Sequence, residues 1–499
     1  MTLPTNGLSN EEILSSLEEL RSDDAPTTGG RVLAYVYDSG LAGLEEIAET
    51  ALAKFAGVNC LDPTVFPSVA RLENDLVGWG LDLLGGDEQS AGLVTSGGTE
   101  SCMLAVKAAR EVWRAKVGET TDKPILIAPV TVHPAFIKGA AYFGFDVDLV
   151  PIDTDEFRVS PDAISQALER AGERAALVVV SSPAYPYGVM DPIVEVAAIA
   201  QAAGVPCHSD ACIGGWTLPY LKRAGHDIEP FDLSVPGVTS ISVDLHKYAY
   251  APKGTSLLLF DTAARRGAVT FTYSGWPGYP VVNMTSQSTK SAGPMAAAWT
   301  VLAKVGDEGF VKLASDAGEA TQIIADGVTG IPGIRMLGKP NATLIAVAGD
   351  ESDDAVDPFR VADEMGKRNW FVQAQPAADG LPRTIHFTVQ AASLPTAHEF
   401  VEALRESVEA AAGEPWAEPD PQLIAAAESI DVATLDDATV AGLLTLAGLG
   451  GADEGDIGLP EEAATVQALL EALPTDLRNR LLAGFFSLIY TAQRPGLPK

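Results

Sequence analysis

Residues 240–260 read SISVDLHKYAYAPKGTSLLLF, two apolar runs joined by a short polar and aromatic loop. The first run ends in Asp-Leu-His-Lys, so Lys247 lies where a buried strand is expected to end. Burial at such a position should lower the pKa of the amine and make it a better nucleophile toward a carbonyl. An isolated lysine at a strand end more often reaches into solvent, so the other motifs decide whether Lys247 has a chemical role.

Similar short apolar runs recur upstream of this stretch, namely ILIAPV (125–130), VDLVPI (147–152), ALVVVSS (176–182) and VPCHSD (205–210). Their polarity does not alternate, which is typical of strands buried on both faces. Amphipathic segments between most of them favour βαβ crossovers and a mostly parallel sheet. The sequence therefore predicts an α/β fold that binds its ligand at the carboxyl ends of the strands.

The chain divides into four predicted parts. Residues 1–90 form an N-terminal helical segment, residues 91–325 the large domain, and residues 326–412 a small α+β domain in the order strand, helix, strand, strand, helix. The Pro-rich, acidic linker 411–422 marks a boundary. Residues 423–499 are a helical C-terminal extension, and their apolar run LLAGFFSLIY must pack on the body or on a partner.

The composition narrows the function classes. With 67 acidic against 33 basic residues, the net charge is −34, which disfavours nucleic acid and anionic membranes as partners. We find neither an apolar stretch of about 18 residues nor a basic, apolar leader, so a membrane anchor and a signal peptide are not expected. Four cysteines are too few for a disulfide framework, and a cytoplasmic location is expected.

A second motif, VPCHSDACIGGW (205–216), also runs from a strand into a loop of small residues. Asp210 at its end is a carboxylate that could pair with a protonated ring nitrogen, although such an aspartate is more often a cap or turn residue. The neighbouring Cys and His residues lack the spacing of a metal site, so no metal is predicted.

Two more motifs complete a set. GLVTSGGTESCMLAVKAAR (92–110) places Gly98 and Thr99 at a helix start, where free N–H groups can cradle a phosphate. In VTVHPAFIKG (130–139), His133 follows a strand and could stack on an aromatic ring. A phosphate cradle, a stacking histidine, an acid for a ring nitrogen and an amine are together the requirements of an enzyme that uses pyridoxal 5′-phosphate (PLP).

Several stretches resemble the motifs of sphingosine-1-phosphate lyases, namely TSGGTES, HPAF, SPAYPYGVMDP, HSDACIGG and SVDLHKYAYAPKG. These lyases belong to the group II PLP-dependent decarboxylase family, with the fold type I (aspartate aminotransferase-like) architecture. The resemblance spans roughly residues 30–410. It implies a homodimeric lyase whose PLP is attached to a lysine as a Schiff base.

Matching motif by motif, the resemblance implies a role for each of several residues. Lys247 would carry PLP, Asp210 would meet its ring nitrogen, and His133 would stack on the ring. His246 would join Gly98 and Thr99 in the phosphate cradle. The remaining matches are the active-site tyrosine Tyr37, Lys253 facing the substrate phosphate, and Thr289, which would replace a serine in a segment (288–294) that reaches the neighbouring subunit's site.

Two departures from the family pattern bear on the substrate. The lyases usually read N-x-L-H-P where residues 59–63 read NCLDP, and the carboxylate of Asp62 would repel a phosphate. Tyr187 replaces a histidine in the P-x-G-V-x-D-P turn. The resemblance implies a carbon–carbon lyase that cleaves a phosphorylated or related amino alcohol to an aldehyde and an amine through an external aldimine, with Tyr37 or Lys253 as the base.

Other activities remain open at this point. Asp62 could instead receive a cationic or neutral amine, which favours an amino-acid decarboxylase that releases CO₂. A non-catalytic binding protein with the same fold is a further alternative. We find no arginine motif for a substrate carboxylate that would favour an aminotransferase.

Overall fold

The computed structural model describes residues 3–419, 421–446 and 463–491. Three helices precede the first strand: α1 (Asn10–Leu20), α2 (Leu44–Phe55) and α3 (Pro67–Leu83). Helix α1 begins with a capping box between Ser9 and Glu12 and buries no residue. Helix α2 packs along the later helix α10 (Gly293–Thr329), and α3 packs on the edge of the large sheet.

The centre of the fold is a seven-stranded sheet. Its strands, in chain order, are β1 (Ala91–Thr95), β2 (Ile125–Pro129), β3 (Asp146–Val150), β4 (Ala175–Ser181), β5 (Cys207–Asp210), β6 (Val238–Asp244) and β7 (Ser256–Phe260). Their spatial order is β1-β7-β6-β5-β4-β2-β3, and only β7 runs antiparallel to its neighbours. The predicted α/β class with a mostly parallel sheet is confirmed.

Burial along the strands follows the residue pattern. Every residue of β4 and β6 is buried, as the flat polarity of ALVVVSS and SISVDL predicted. Helices connect the strands: α4 (Gly98–Val117), α5 (Pro134–Phe143), α6 (Pro161–Ala171), α7 (Ile193–Ala202) and α8 (Leu218–Arg223). Because β5 and β6 are parallel, Asp210 and Asp244 end neighbouring strands at the same edge of the sheet.

Beyond β7 come α9 (Ala263–Gly267), a two-stranded ribbon of β8 (Phe271–Tyr273) and β9 (Val281–Asn283), and then α10. Two helices were predicted in the region of α10, and Gly306 interrupts it with a φ of 65°. A positive φ is readily adopted by glycine, which explains why the break occurs there.

The small sheet contains β10 (Ile334–Met336), β11 (Leu344–Gly349), β12 (Gln373–Gln375) and β13 (Thr384–Thr388), all antiparallel in the order β10-β11-β13-β12. It is accompanied by α11 (Pro358–Lys367) and α12 (Ala397–Ala411). The predicted order of elements is present with one strand more, because β10 is only three residues long.

The C-terminal helices are α13 (Pro421–Glu428), α14 (Asp437–Leu446), α15 (Ala464–Ala472) and α16 (Thr475–Ile489). Glu471 of α15 forms an ion pair of 2.6 Å with Arg383, which fixes this part of the chain to the small sheet. The run LLAGFFSLIY packs only partly, as Leu481 is buried while Phe486 is 54% exposed and Tyr490 is 80% exposed. None of the described helices is both long and apolar enough to cross a membrane.

Candidate active site

Lys247 and Asp244 form a buried ion pair at the end of β6. Lys247 Nζ lies 3.0 Å from Asp244 Oδ2, and the aspartate side chain is only 3% exposed. Burial lowers the pKa of Lys247, but the negative field of Asp244, with smaller contributions from Tyr37, Cys212 and Asp210, raises it well above its ordinary value. The prediction of a lowered pKa is therefore wrong, because Asp244 is a partner that the sequence argument overlooked.

Asp210 ends β5 and lies in register with Ser242 of β6. Its Oδ1 accepts hydrogen bonds from the backbone N–H of Cys212 (3.1 Å) and from Ser242 Oγ (3.2 Å). Among the described residues, none donates to Oδ2. A buried carboxylate with one oxygen fixed and the other open suits a protonated ring nitrogen, which would supply the missing donor.

A buried polar network that the sequence did not reveal lies behind Asp210. Ser242 Oγ also lies 3.1 Å from His208 Nε2, and His208 Nδ1 lies 2.8 Å from Ser240 Oγ. Burial lowers the pKa of His208 to about 4, so its imidazole is neutral at neutral pH. The sequence signal for this network is Ser240-x-Ser242 on the strand beside His208. It could be recognised only if the register of the two strands were known.

The Gly-rich loop packs directly against the ends of these strands. A Cβ atom on Gly98 would lie 2.6 Å from Asp244 Oδ2 and 2.9 Å from Cys212 Sγ, so a larger residue would displace the carboxylate. Helix α4 begins at Gly98 without a side-chain cap, and among the described residues the N–H groups of Gly98 and Thr99 donate to no acceptor, whereas the next two donate to the carbonyl oxygen of Gly97. The predicted anion cradle therefore lies beside Asp244 and Lys247.

His246 forms one wall of this cradle. Its Nδ1 donates to the carbonyl oxygen of Thr255 at 2.9 Å, because a carbonyl can only accept. A Cβ atom on Gly97 would lie 3.5 Å from His246 Cε1. Burial lowers the pKa of His246, although the nearby carboxylate of Asp244 opposes this effect.

His133 caps the N-terminus of α5, where its Nδ1 accepts the backbone N–H of Ala135 at 3.2 Å. His133 is exposed in the single chain. Burial lowers the pKa of His133. The negative charge of Asp210 opposes this shift, and the positive charge of Lys247 reinforces it. The structure therefore brings His133 near both residues, as the motif order suggested.

Tyr37 and Lys253 meet on another side of the crevice. Lys253 Nζ lies 4.9 Å from the centre of the Tyr37 ring and donates to the carbonyl oxygens of Tyr35 (3.2 Å) and His246 (3.3 Å). Burial, together with the positive charge of Lys247, lowers the pKa of Lys253 to about 8. Burial raises the pKa of Tyr37 well above its ordinary value.

Tyr185 lies within the SPAYPYG motif and was not predicted as a site residue. It packs near Tyr37, its ring stacks on His386 at 4.4 Å, and its hydroxyl donates to Gln373 Oε1 at 2.5 Å. Burial raises the pKa of Tyr185 to about 12. It contributes a phenol from the large domain at the contact with the small sheet. Tyr187, in contrast, is buried against Phe157.

Asp62 and Thr289 do not join this group within one chain. Asp62 is exposed, and its Oδ1 accepts the N–H (2.9 Å) and the hydroxyl (2.6 Å) of Thr64. Thr289 is also exposed. Across the described residues, no hydrogen bond or ion pair links either of them to Lys247. The two segments instead contact each other, since Asn59 pairs with Ser291 and the N–H of Cys60 donates to the carbonyl oxygen of Lys290 at 2.9 Å.

Glu100 connects the cradle to that second segment. One carboxylate oxygen accepts the N–H of Ser96 at 2.7 Å, and the other accepts the N–H of Ser286 at 2.6 Å. Burial alone would raise the pKa of Glu100, but these hydrogen bonds lower it below its ordinary value. The buried carboxylate of Glu100 thus restrains both the Gly-rich loop, through Ser96, and the segment that leads to residues 288–294, through Ser286.

One group of possible metal ligands occurs in the described part of the chain. Donor atoms of Cys102, Asp210 and Cys212 lie within 4.8 Å of one another. Burial raises the pKa of the Cys102 thiol, and the hydrogen bond with Cys102, followed by burial, raises that of Cys212. Metals bind the thiolate form, so this pair gives no support for a metal site.

The residues fit the cofactor that the resemblance implies. Asp210 has an open carboxylate oxygen for the pyridine nitrogen, the start of α4 offers backbone N–H groups to a phosphate, and Lys247 offers an amine at the same strand ends. These three groups could together hold PLP at the carboxyl ends of the strands.

Comparisons with known proteins agree with this fit. Residues 34–346 match the pyridoxal-dependent decarboxylase conserved domain, and residues 421–488 match the C-terminal putative HTH domain of pyridoxal-dependent enzymes. The sphingosine-1-phosphate lyase of Dictyostelium discoideum is 33% identical, covering 82% of this chain and 74% of that protein. For the lyase of Arabidopsis thaliana, the identity is 35%, with 83% and 74% covered.

Solved structures show the same relationship. The sphingosine-1-phosphate lyase of Burkholderia pseudomallei superposes with a TM-score of 0.77 at 33% identity, covering 82% of this chain and 93% of that one. Glutamate decarboxylase from Lactobacillus brevis, with a TM-score of 0.72 at 20% identity, shares the fold. It covers 82% of this chain and 95% of its own. The chain therefore belongs to the pyridoxal-dependent decarboxylase family, has the fold type I architecture, and is a PLP-dependent lyase.

Proposed function

We propose that the protein is a carbon–carbon lyase that cleaves a phosphorylated or related amino alcohol to an aldehyde and an amine. The observation that carries this proposal is the position of Lys253, whose Nζ lies 4.9 Å from the centre of the Tyr37 ring; burial and the charge of Lys247 also lower its pKa to about 8. Cleavage next to a hydroxyl requires a base that takes the hydroxyl proton, whereas loss of CO₂ does not. The relatives named sphingosine-1-phosphate lyases, at 33% and 35% identity, support the same choice.

In this proposal, residues of β5, β6 and their loops hold the cofactor. Lys247 attaches it, Asp210 keeps a proton on its ring nitrogen, and His133 stacks on its ring. Gly98, Thr99 and His246 bind its phosphate. When bound, PLP supplies an electron sink for the pair released as a substrate bond breaks. The contacts of Asp210 with Ser242 and Cys212 support its assignment, because they fix one oxygen and leave the other open.

We propose Lys253 rather than Tyr37 as the proton acceptor for the substrate hydroxyl. A group with a pKa near 8 exchanges protons close to neutral pH, while the raised pKa of Tyr37 keeps its phenol protonated. Tyr37 would then orient the substrate through its hydroxyl. A phosphate bound directly at Lys253 would keep the amine protonated, so the phosphate is proposed to bind further from it.

We further propose a cytoplasmic homodimer with shared active sites and the four-part division at residues 90, 325 and 412. The exposed patch that contains Asp62 and Thr289 supports this assembly, since the two segments pair through Asn59 and Ser291. Mixing an inactive Lys247→Ala chain with an inactive Thr289→Trp chain should restore part of the activity. No restoration in verified mixed dimers would count against shared sites.

A decarboxylase is the second candidate, and Asp62 favours it because the histidine of the lyases is absent there. The purified enzyme, loaded with PLP, should be incubated with phosphorylated long-chain amino alcohols and separately with amino acids. We expect a long-chain aldehyde from the first set and no CO₂ from the second. Release of CO₂ without any aldehyde would overturn the lyase proposal.

A further inference from the structure

We propose that Asp244 is a positioning residue that receives the ammonium group of Lys247 whenever the lysine is not bonded to the cofactor, and thereby favours its replacement by the substrate amine. This inference rests on the proposed attachment of the cofactor to Lys247. It extends that proposal by assigning a task to Asp244, whose Oδ2 lies 3.0 Å from Lys247 Nζ and 3.6 Å from His246 Nε2.

The geometry of the pair is the first support. The two residues are three positions apart across the turn that follows β6, and their charged atoms are 3.0 Å apart. The Asp244 carboxylate is almost inaccessible, and within the described residues its Oδ1 has no hydrogen-bond partner. A buried carboxylate with an unfilled oxygen strongly favours a neighbouring cation.

The packing around the carboxylate is the second support. Gly98 leaves the space that the carboxylate occupies, since a Cβ atom there would lie 2.6 Å from one oxygen and 2.7 Å from the other. The N–H of Asp244 donates to the carbonyl oxygen of Cys212, which fixes the backbone at this point. The carboxylate is therefore held under the cradle, where it has little room to turn away from Lys247.

The exchange of amines explains why such a partner is useful. On exchange, Lys247 Nζ would yield its bond to the cofactor carbon to the incoming substrate nitrogen and would take up the three hydrogens that this nitrogen, as an ammonium group, loses. No oxidant or reductant is needed. The released lysine is then a cation in a buried site, and its pairing with Asp244 stabilises that side of the equilibrium.

Several other ionisable groups face this pair and must be considered in any pH measurement. They are Tyr37, Cys102, His133, Tyr185, Asp210, Cys212, His246 and Lys253. Among them, Tyr37, Cys212 and Asp210 act on Lys247 in the same direction as Asp244 but more weakly, and no second carboxylate forms an ion pair with Lys247 in the described chain.

The first test uses cofactor-free protein and needs no activity. Labelling of Lys247 by an amine reagent is followed by peptide mass spectrometry as a function of pH, in the wild type, in Asp244→Asn and in the control Asp191→Asn. Asp191 is another buried carboxylate, and it accepts a hydrogen bond from the backbone N–H of Ser181. We expect the labelling midpoint of Lys247 to move to lower pH in Asp244→Asn only, so that labelling at a fixed pH below the midpoint becomes at least about tenfold faster.

The wild type alone already tests the claim if the variant does not fold. Lys247 should then be labelled with a midpoint above that of exposed lysines such as Lys54, despite its burial. A midpoint below theirs, or an unchanged midpoint in folded Asp244→Asn, would overturn the inference.

The second test uses the loaded enzyme and methylamine. Displacement of Lys247 is followed through the visible spectrum, and Asp244→Asn should require at least about tenfold more amine for half displacement. An unchanged requirement would also overturn the inference. Borohydride reduction of the wild type identifies the attachment residue separately, so a failure of the Lys247 assignment is distinguishable from a failure of the Asp244 role.

Discussion

Ser242 donates a hydrogen bond from its hydroxyl to Asp210 Oδ1 at 3.2 Å, across the parallel pair β5 and β6. The same hydroxyl contacts His208 and Cys212, so one serine joins the carboxylate to a buried polar network. Because the other oxygen of Asp210 is open, the position of the carboxylate depends on this contact. Ser242 is thus expected to affect cofactor binding without touching the cofactor.

Replacement of Ser242 by alanine tests this dependence. It removes one of two donors to Asp210, a change of about 1 kcal/mol, and should weaken PLP binding by about fivefold. A fluorescence titration of the cofactor-free protein measures the effect. The matched control is Ser240→Ala, since Ser240 contacts His208 but not Asp210. Equal losses in both variants would indicate a general structural effect instead.

Lys253 should set the pH dependence of the reaction. As a base with a pKa of about 8, it is active when neutral, so kcat/KM should rise as the pH increases toward 8 and level off above it. Replacement by methionine should reduce aldehyde formation by at least about 100-fold and leave the visible cofactor band intact. A rate that falls above pH 8 would show that the protonated lysine is the useful form.

Replacement of Glu100 by glutamine should loosen two segments at once. The carboxylate of Glu100 accepts the backbone N–H groups of both Ser96 and Ser286. In the glutamine variant the amide NH₂ cannot accept, so one of these two N–H groups would lose its partner. We expect a loss of about 2 kcal/mol in unfolding free energy and faster proteolysis within residues 284–290. The exposed Glu88→Gln is the control. Unchanged cleavage in that segment would argue that Glu100 does not restrain it.

The C-terminal helices provide a test of the charge argument. Residues 421–488 contain eleven acidic side chains and only Arg478 and Arg480 as basic ones, although their family model is described as a putative HTH domain. Such a surface repels phosphate backbones. Gel-shift assays at physiological salt should detect no binding to duplex DNA. Binding that weakens as salt increases, and that is lost in an Arg478→Ala/Arg480→Ala variant, would contradict this expectation.

The sequence predicted the features that depend on neighbouring residues, and it did not predict contacts that depend on the folded geometry. The flat polarity of β4 is a local pattern, and the strands were predicted correctly from such patterns. The ion pair of Lys247 with Asp244 depends on the shape of one turn, and the contact of Ser242 with Asp210 depends on strand register. Neither is encoded by composition, so both were missed.

The substrate residues show the other limit. Asp62 was assigned by motif position, yet its carboxylate is bonded to Thr64 within its own turn. Thr289 is also exposed, and the shared site proposed for it would require a second subunit. The strand β10 was also not predicted, because three residues are too few to show a periodic pattern.

The attachment of the cofactor is tested most directly by borohydride reduction of the loaded enzyme, followed by peptide mass spectrometry. We expect a single cofactor adduct on the peptide that contains Lys247, and neither an adduct nor a visible band in Lys247→Ala. An adduct on Lys253 or on any other lysine, or a loaded wild type in which no lysine is modified, would contradict it.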